Sequence, residues 1–406
     1  MAPLQQSDQT VHDPASTPAR AHPVARALAL GPVLYANAAH TERDRRVALE
    51  TLEGLRRAGL LRLTTPRTRG GFEATVRTQI EVGLALGRAC PSTARVAGIH
   101  NGVRPMTLML SAAAQDEFYD PGPDVLVCSV AGVNGTADRG DGGVRITGTW
   151  TAASGCEDAH WALLAIPLPD TAGGPPSTAT VLVPLEDLQV KDTWHVAGMR
   201  GTGGQSLGAD TVLVPDHRVV SAAVAPSGGA AVFPTASKIG SSLNLLAPVV
   251  GAALGALDTV RRTLGSGRGI TVSVYRETTA SPSAQLRLGE ADRLVDRAVR
   301  LVGSVTDAAD AALTGDPLTL RERSALRMDM VAAVESARTA VSRLLDLSGT
   351  AAFSESNPVQ RFSREMETGS RHVQFKPFLA ARTTGGWSSA SSPRSPSCCE
   401  APARPA

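Results

Sequence analysis

Few side chains in this 406-residue protein can move a proton near neutral pH, and four of its eight histidines stand where they could do so. His100 lies in Gly98-Ile-His-Asn-Gly102, His372 follows Arg361 and Arg364, and His160 and His195 each sit close to a tryptophan. An imidazole, with an unperturbed pKa of about 6.5, suits a base or a proton shuttle. Each also has a plainer reading: His372 capping or packing at a helix end, His100 a loop histidine satisfied by backbone, His160 and His195 structural. A small hydroxyl, Ser154, falls between Ala153 and Gly155 where a β-rich run ends. It can offer a hydrogen bond with close backbone approach on both sides, or it can simply turn the chain.

Spacing argues against several other chemistries. Gly201-Thr-Gly203-Gly204 lacks the GxGxxG pattern and no βαβ unit follows; GxxxxGK[ST] and HExxH are also missing. Direct use of a nicotinamide or a nucleoside triphosphate therefore has no support. Five cysteines, at 90, 128, 156, 398 and 399, show no CxxC or Cys/His metal spacing, so no metal site is expected and a reduced, cytoplasmic setting fits. Lys plus Arg (40) nearly balance Asp plus Glu (38), so neither nucleic acid nor an anionic membrane is an expected partner. The first 26 residues lack the apolar core of a secretory signal, and no run approaches the roughly 18 apolar residues of a membrane span.

These groups must be positioned by elements that the patterning outlines. A polar leader, expected to be disordered, covers 1–35. Residues 36–123 read as a helical domain: Ala48, Leu52 and Leu55 recur at helical spacing with Gly59 as a stop, and a second helix over 78–88 breaks at Cys90-Pro91-Ser92, where Ser92 is a candidate N-cap. Residues 124–235 change to period two, with runs at 125–130, 144–150, 161–167, 178–183 and 211–214, the reading of a compact antiparallel β domain. Helix returns over 236–381. Leu243 to Leu257 is apolar on most faces, and heptad-like spacing (Ala291, Leu294, Ala298, Leu301, Val305, then Met330, Val334, Ala337, Val341, Leu344) makes an antiparallel pair within a four-helix bundle. The Ser/Pro/Arg-rich end, 382–406, reads as a disordered tail.

Six blocks in order carry a resemblance: Arg57-Ala-Gly-Leu-Leu-Arg-Leu-Thr-Thr-Pro66 with Gly70-Gly71; Ala89-Cys-Pro-Ser-Thr-Ala94; Gly142-Gly-Val-Arg-Ile-Thr-Gly-Thr-Trp150 running into Ala153-Ser-Gly-Cys156; Asp192-Thr-Trp-His-Val-Ala-Gly-Met-Arg-Gly-Thr-Gly203; Val214-Pro215; and Asn357-Pro-Val-Gln-Arg361 through His372. Over about 39–379 the chain resembles the oxygenase components of two-component (group D) flavin-dependent monooxygenases in the acyl-CoA dehydrogenase superfamily. The resemblance implies an α+β fold, with a helical domain, a central antiparallel β domain and a four-helix bundle, assembled as a homotetramer. It implies reduced flavin (FMNH2 or FADH2) supplied by a separate NAD(P)H:flavin reductase, O2 as co-substrate, and hydroxylation of a small aromatic, phenolic or polyketide-like substrate. The oxygenating species in such enzymes is a C4a-hydroperoxyflavin, which survives only in a dry pocket.

By position in those blocks, Ser154 would steady the oxygen adduct, His372 would act as base or proton shuttle, and His100 would be a second polar substrate contact. Ser129, Asn134, Thr136, Ala153, Ser154 and Gly155 would hold the flavin. Trp194 would pack over the flavin edge or fill the β core, and Arg276 with Gln285 would reach a neighbouring subunit's cofactor. Rival readings are N- or S-oxygenation, a non-catalytic scaffold, and acyl-CoA dehydrogenation. The last requires a glutamate base, yet none occurs between Glu367 and Glu400 or between Asp187 and Arg276.

Overall fold

The computed structural model describes residues 22–168, 177–221, 235–267 and 269–380; the tail expected over 382–406 lies outside them. Five helices come first: α1 (Pro23–Arg43), α2 (Leu49–Arg57), α3 (Val76–Ala89), α4 (Pro91–Val103) and α5 (Ala112–Tyr119). The leader expected over 1–35 is thus helical from Pro23. Pro23 stands in the first turn, His22 accepts from the Val24 amide, and Ala27, Leu34 and Ala38 are buried on one face. Polarity masks this stripe because its apolar members are mostly alanines. Ser92 is not the N-cap of α4 either. Cys90 holds that position, Pro91 begins the helix, and Ser92 lies inside its first turn.

Eight strands follow in two four-stranded sheets, ordered β1-β4-β5-β8 and β2-β3-β7-β6. Their ranges are β1 (Val127–Val130), β2 (Thr136–Gly140), β3 (Gly143–Ala153), β4 (Trp161–Leu168), β5 (Ser177–Pro184), β6 (Gln189–Lys191), β7 (Gln205–Pro215) and β8 (Val219–Ser221). Pairing is antiparallel except that β1 runs parallel to β4. The alternation missed β2 and β6, which are polar and mostly exposed, and the first half of β7, where Gln205 to Ala209 are all buried without a branched apolar run. Between the sheets Val144, Ile146, Trp150, Leu164, Ile166, Val181 and Leu207 form a shared core.

The last layer is α6 (Thr235–Leu264), α7 (Pro282–Thr314), α8 (Leu320–Ser348) and the shorter α9 (Pro358–Gly369). Thr319 and Glu322 form a capping box that starts α8, and Ala291, Ala298, Val305, Ala337, Val341 and Leu344 meet in its core. By length and composition Ile239–Leu264 would cross a membrane, so the expectation about apolar runs fails for α6; most of that stretch is nevertheless buried in the protein core. A β-carbon on Gly251 would come within 2.7 Å of the Gly87 Cα, which lets α3 and α6 pack backbone to backbone. That contact seats α4, which touches β1, α6 and α9, between the sheets and the bundle.

Candidate active site

The chain turns sharply where β3 leaves its ladder with β7. The register shifts between Trp150 and Ala153, Ala152 takes φ 62°, and the Ser154 amide donates to the Ala152 carbonyl at 3.0 Å. Gly155 follows at φ 72°, its amide donating to the Thr202 carbonyl at 2.7 Å. A β-carbon there would lie 2.9 Å from Val96 Cγ1 and 3.0 Å from His100 Nε2, so conformation and space both demand glycine. Ser154 does turn the chain, and it is also buried, 6% exposed, next to the Gly155 that meets the helix carrying His100.

His100 is fully enclosed. Its Nδ1–H donates to the Val127 carbonyl of β1 at 2.9 Å, because a carbonyl can only accept. Nε2 is then left as an acceptor, and it is buried without a hydrogen-bond partner. Burial, and secondarily the nearby Arg104, drive the His100 pKa down to about 4, so the ring is neutral at pH 7. A backbone partner therefore satisfies one side of His100, as the plainer reading had it, although on helix α4 and not in a loop, and the other side packs against Gly155 without a hydrogen-bond partner.

The helix under His100 is held at both ends. Glu365 of α9 accepts from the Ser92 amide at 3.1 Å and from the Ser92 hydroxyl at 2.9 Å, across 273 residues of sequence. Burial pushes this carboxyl up to about 7 against those bonds and the Arg361 guanidinium. At the other end Asn101 accepts from the Leu63 amide and donates to the Leu60 carbonyl, while Arg104 donates to the Val125 carbonyl at 2.6 Å. None of these ties is visible in local sequence. Only the pairing of a buried acid with a helix start, seen in three dimensions, reveals the role of Glu365.

His372 caps the short 3-10 turn Val373–Phe375, its Nδ1 accepting from the Gln374 amide at 3.4 Å, as the helix-end reading anticipated. It is half-buried, and burial followed by the charge of Arg95 on α4 lowers its pKa to about 4. His372 and His100 thus both abut α4, one through Arg95 and the other as part of the helix.

The other expected residues are more scattered. Ser129 is half-buried on β1, two positions beyond the Val127 carbonyl that His100 engages. Asn134 and Thr136 are exposed and stitch their turn to β3, Asn134 Nδ2 donating to the Thr149 carbonyl at 2.6 Å and the Thr136 hydroxyl to the Thr147 carbonyl at 3.5 Å. Trp194 donates to the Met199 carbonyl at 2.9 Å and lays its ring over Gly204, so it packs within its own loop and not in the core between the sheets. Arg45 and Arg364 clamp this loop from outside, binding Asp192 and the Ala197 carbonyl. Of the two histidines read as structural, His160 accepts from the Leu126 amide and His195 is exposed beside Arg45 and Asp192.

Comparison with known proteins decides the kinship. Residues 26–121 match the N-terminal domain of acyl-CoA dehydrogenases and 243–377 match their C-terminal domain. The oxygenase component of an FADH2-dependent resorcinol hydroxylase from a Rhizobium species is 33% identical over 89% of this chain and 92% of its own. The HsaA oxygenase subunit of a flavin-dependent monooxygenase from Rhodococcus jostii is 30% identical over 86% and 93%. The structure of XiaF from a Streptomyces species, solved with FADH2 and glycerol, superposes with a TM-score of 0.83 at 34% identity, covering 90% of this chain and 94% of that one.

The chain belongs to the acyl-CoA dehydrogenase family, among its flavin-dependent monooxygenases.

Within this monooxygenase Arg276 and Gln285 stand apart from the β3 turn. Both are exposed, and Gln285 donates to the Thr279 carbonyl at 2.7 Å. Gln285 also lines an open groove of about 910 Å³ along α7 with Leu286, Glu290, Arg293, Arg297 and Arg343. His100 lies on α4 bonded to β1, Ser129 lies on β1, Ser154 follows β3 and His372 is within reach of the Arg95 charge, whereas this pair is exposed. Sequence reading missed Arg95, although an arginine inside the otherwise small and apolar Pro91-Ser-Thr-Ala-Arg-Val-Ala-Gly-Ile99 was a signal.

Proposed function

We propose that this monooxygenase is the oxygenase half of a two-component system, hydroxylating a small aromatic, phenolic or polyketide-like molecule. A separate NAD(P)H:flavin reductase supplies its FMNH2 or FADH2, and it works in the cytoplasm as a homotetramer. The supporting observation is the unpartnered Nε2 of His100, a fixed acceptor buried at the Ser154–Gly155 turn. A buried acceptor with no protein donor is costly unless a ligand supplies one, and a phenolic hydroxyl does so. The reaction balances as substrate C–H plus O2 plus reduced flavin giving C–OH, water and oxidised flavin.

A bound reduced flavin supplies the two electrons that activate O2. The chain does the rest. Ser129, Asn134, Thr136 and the backbone from Ala153 to Gly155 would hold the flavin, with Trp194 at its edge and Ser154 offering a hydroxyl. Arg276 and Gln285, both exposed, would reach the cofactor of a neighbouring subunit. His100 Nε2 accepts from the substrate hydroxyl and orients the ring. His372, neutral at pH 7, takes or relays the phenolic proton as the ring becomes nucleophilic. The burial of His100 and Ser154 would keep water from the reacting atoms.

Dehydrogenation of a thioester is disfavoured by particular residues. Glu365 is committed to Ser92, and Glu367 pairs with Arg338 and Arg371, so neither is free to abstract a proton. Anaerobic titration with FMNH2 and FADH2, followed by O2 labelled with oxygen-18 and a panel of phenols, tests the proposal. One labelled atom should enter the product. Failure to bind either flavin, or quantitative release of the oxygen as hydrogen peroxide with every phenol, would overturn it.

A further inference from the structure

Helix α4 is closed off on nearly all sides, with Pro91 to Ala94, Val96, Ala97 and His100 to Gly102 buried. Access remains at Arg95, Gly98, Ile99 and Val103. Arg95, Ile99 and Val103 recur every four residues, so they form one partly exposed stripe along the helix. Ile99 and Val103 make most of that stripe apolar. Arg95 adds a guanidinium to it.

That guanidinium has no hydrogen bond and no ion pair with any described residue. Arg104 by contrast donates to the Val125 carbonyl and Arg364 pairs with Glu42, although Arg95 is not alone, since the buried Nε atoms of Arg200 and Arg361 also have no hydrogen-bond partner. Burial lowers the Arg95 pKa to about 10 with no acid near enough to oppose the shift. Its charge reaches His372, where it adds to burial in lowering the imidazole pKa. A half-buried cation left unpaired costs stability, and a bound anion would offset that cost. The planar fork of arginine matches a carboxylate with two parallel hydrogen bonds.

We propose that the substrate carries a carboxylate, held by Arg95 so that the aromatic ring lies between His372 and His100. This rests on the aromatic-hydroxylase reading and narrows it to aromatic acids. Ile99 and Val103 would cover the apolar part of such a molecule, and Arg95 would fix its orientation.

Two probe pairs that differ only in charge test the proposal on the full chain with reduced flavin under anaerobic conditions: 4-hydroxyphenylacetate against 4-hydroxyphenylacetamide, and indole-3-acetate against indole-3-acetamide. Calorimetry should find at least one acid bound roughly tenfold or more tighter than its amide, the size expected of a charge-assisted pair. Arg95→Gln should bring that ratio close to one by weakening the acid alone, and Arg95→Lys should restore part of it. Removing an unpaired charge leaves no orphaned partner, so both variants should keep the wild-type circular dichroism. Equal affinity for acid and amide in the wild type overturns the proposal, as does failure of both acids to bind. So does an Arg95→Gln variant that weakens acid and amide alike. Turnover plays no part in this measurement. A chain that binds the acids through Arg95 but never oxygenates them would count against hydroxylation alone.

Discussion

Replacing Glu365 with Gln isolates one buried titration. The carboxyl is 1% exposed, accepts two hydrogen bonds from Ser92, and is pushed by burial to about 7. An unfolded glutamate titrates near 4.3, so the native state holds the proton more tightly by nearly three pKa units, worth about 3.5 kcal/mol in total. Because the folded value is raised, this stability is fully present below the unfolded pKa and is lost as pH rises through about 7. Integrated between pH 5 and pH 8, the loss is about 2.5 kcal/mol. Glutamine cannot ionise and removes it. Equilibrium urea unfolding of wild type and Glu365→Gln at both pH values should therefore show the variant gaining about 2.5 kcal/mol on the wild type between pH 5 and pH 8. Comparing the two proteins at each pH cancels the titration of every other group. A difference that does not change with pH would mean that Glu365 is already ionised at pH 5, and the account of how α9 anchors α4 would be wrong.

Gly155→Ala should destabilise the protein by roughly 2–4 kcal/mol, combining a left-handed backbone with crowding against Val96 and His100, as thermal unfolding would show. His100→Asn keeps a donor for the Val127 carbonyl but deletes Nε2; stability should hold while product formed per O2 consumed falls roughly tenfold or more and hydrogen peroxide rises. His372→Ala should leave flavin binding intact and slow phenol hydroxylation about 100-fold, and unchanged turnover would remove His372 from the mechanism. Since the pKa of His372 is lowered to about 4, the ring stays neutral from pH 8 down to pH 5, so the pH profile of hydroxylation should show no loss there that disappears in His372→Ala.

Much of this protein was written locally. The apolar runs of α6 and β4, the heptads of α7 and α8 and the partial alternation of β3 follow from patterns that one segment carries by itself, because their apolar surfaces must leave water. The ordered blocks carried the family, since close backbone turns such as Ser154-Gly155 demand particular residues whatever surrounds them. Where burial is shared among small or polar residues, as in α1, β2, β6 and the start of β7, no periodic signal marks the element and neighbouring elements decide it.

The candidate site belongs to tertiary structure. His100 meets Gly155 across 55 residues, and Ser92 meets Glu365 across 273. A histidine becomes a fixed acceptor only when a particular carbonyl takes its other proton, and an arginine is left unpaired only when the folded chain brings no carboxylate to it. Residue type and spacing told which chemistry this chain could host. Desolvation and hydrogen-bond partners, which exist only once distant segments pack, decided the protonation state, orientation and pairing of each group.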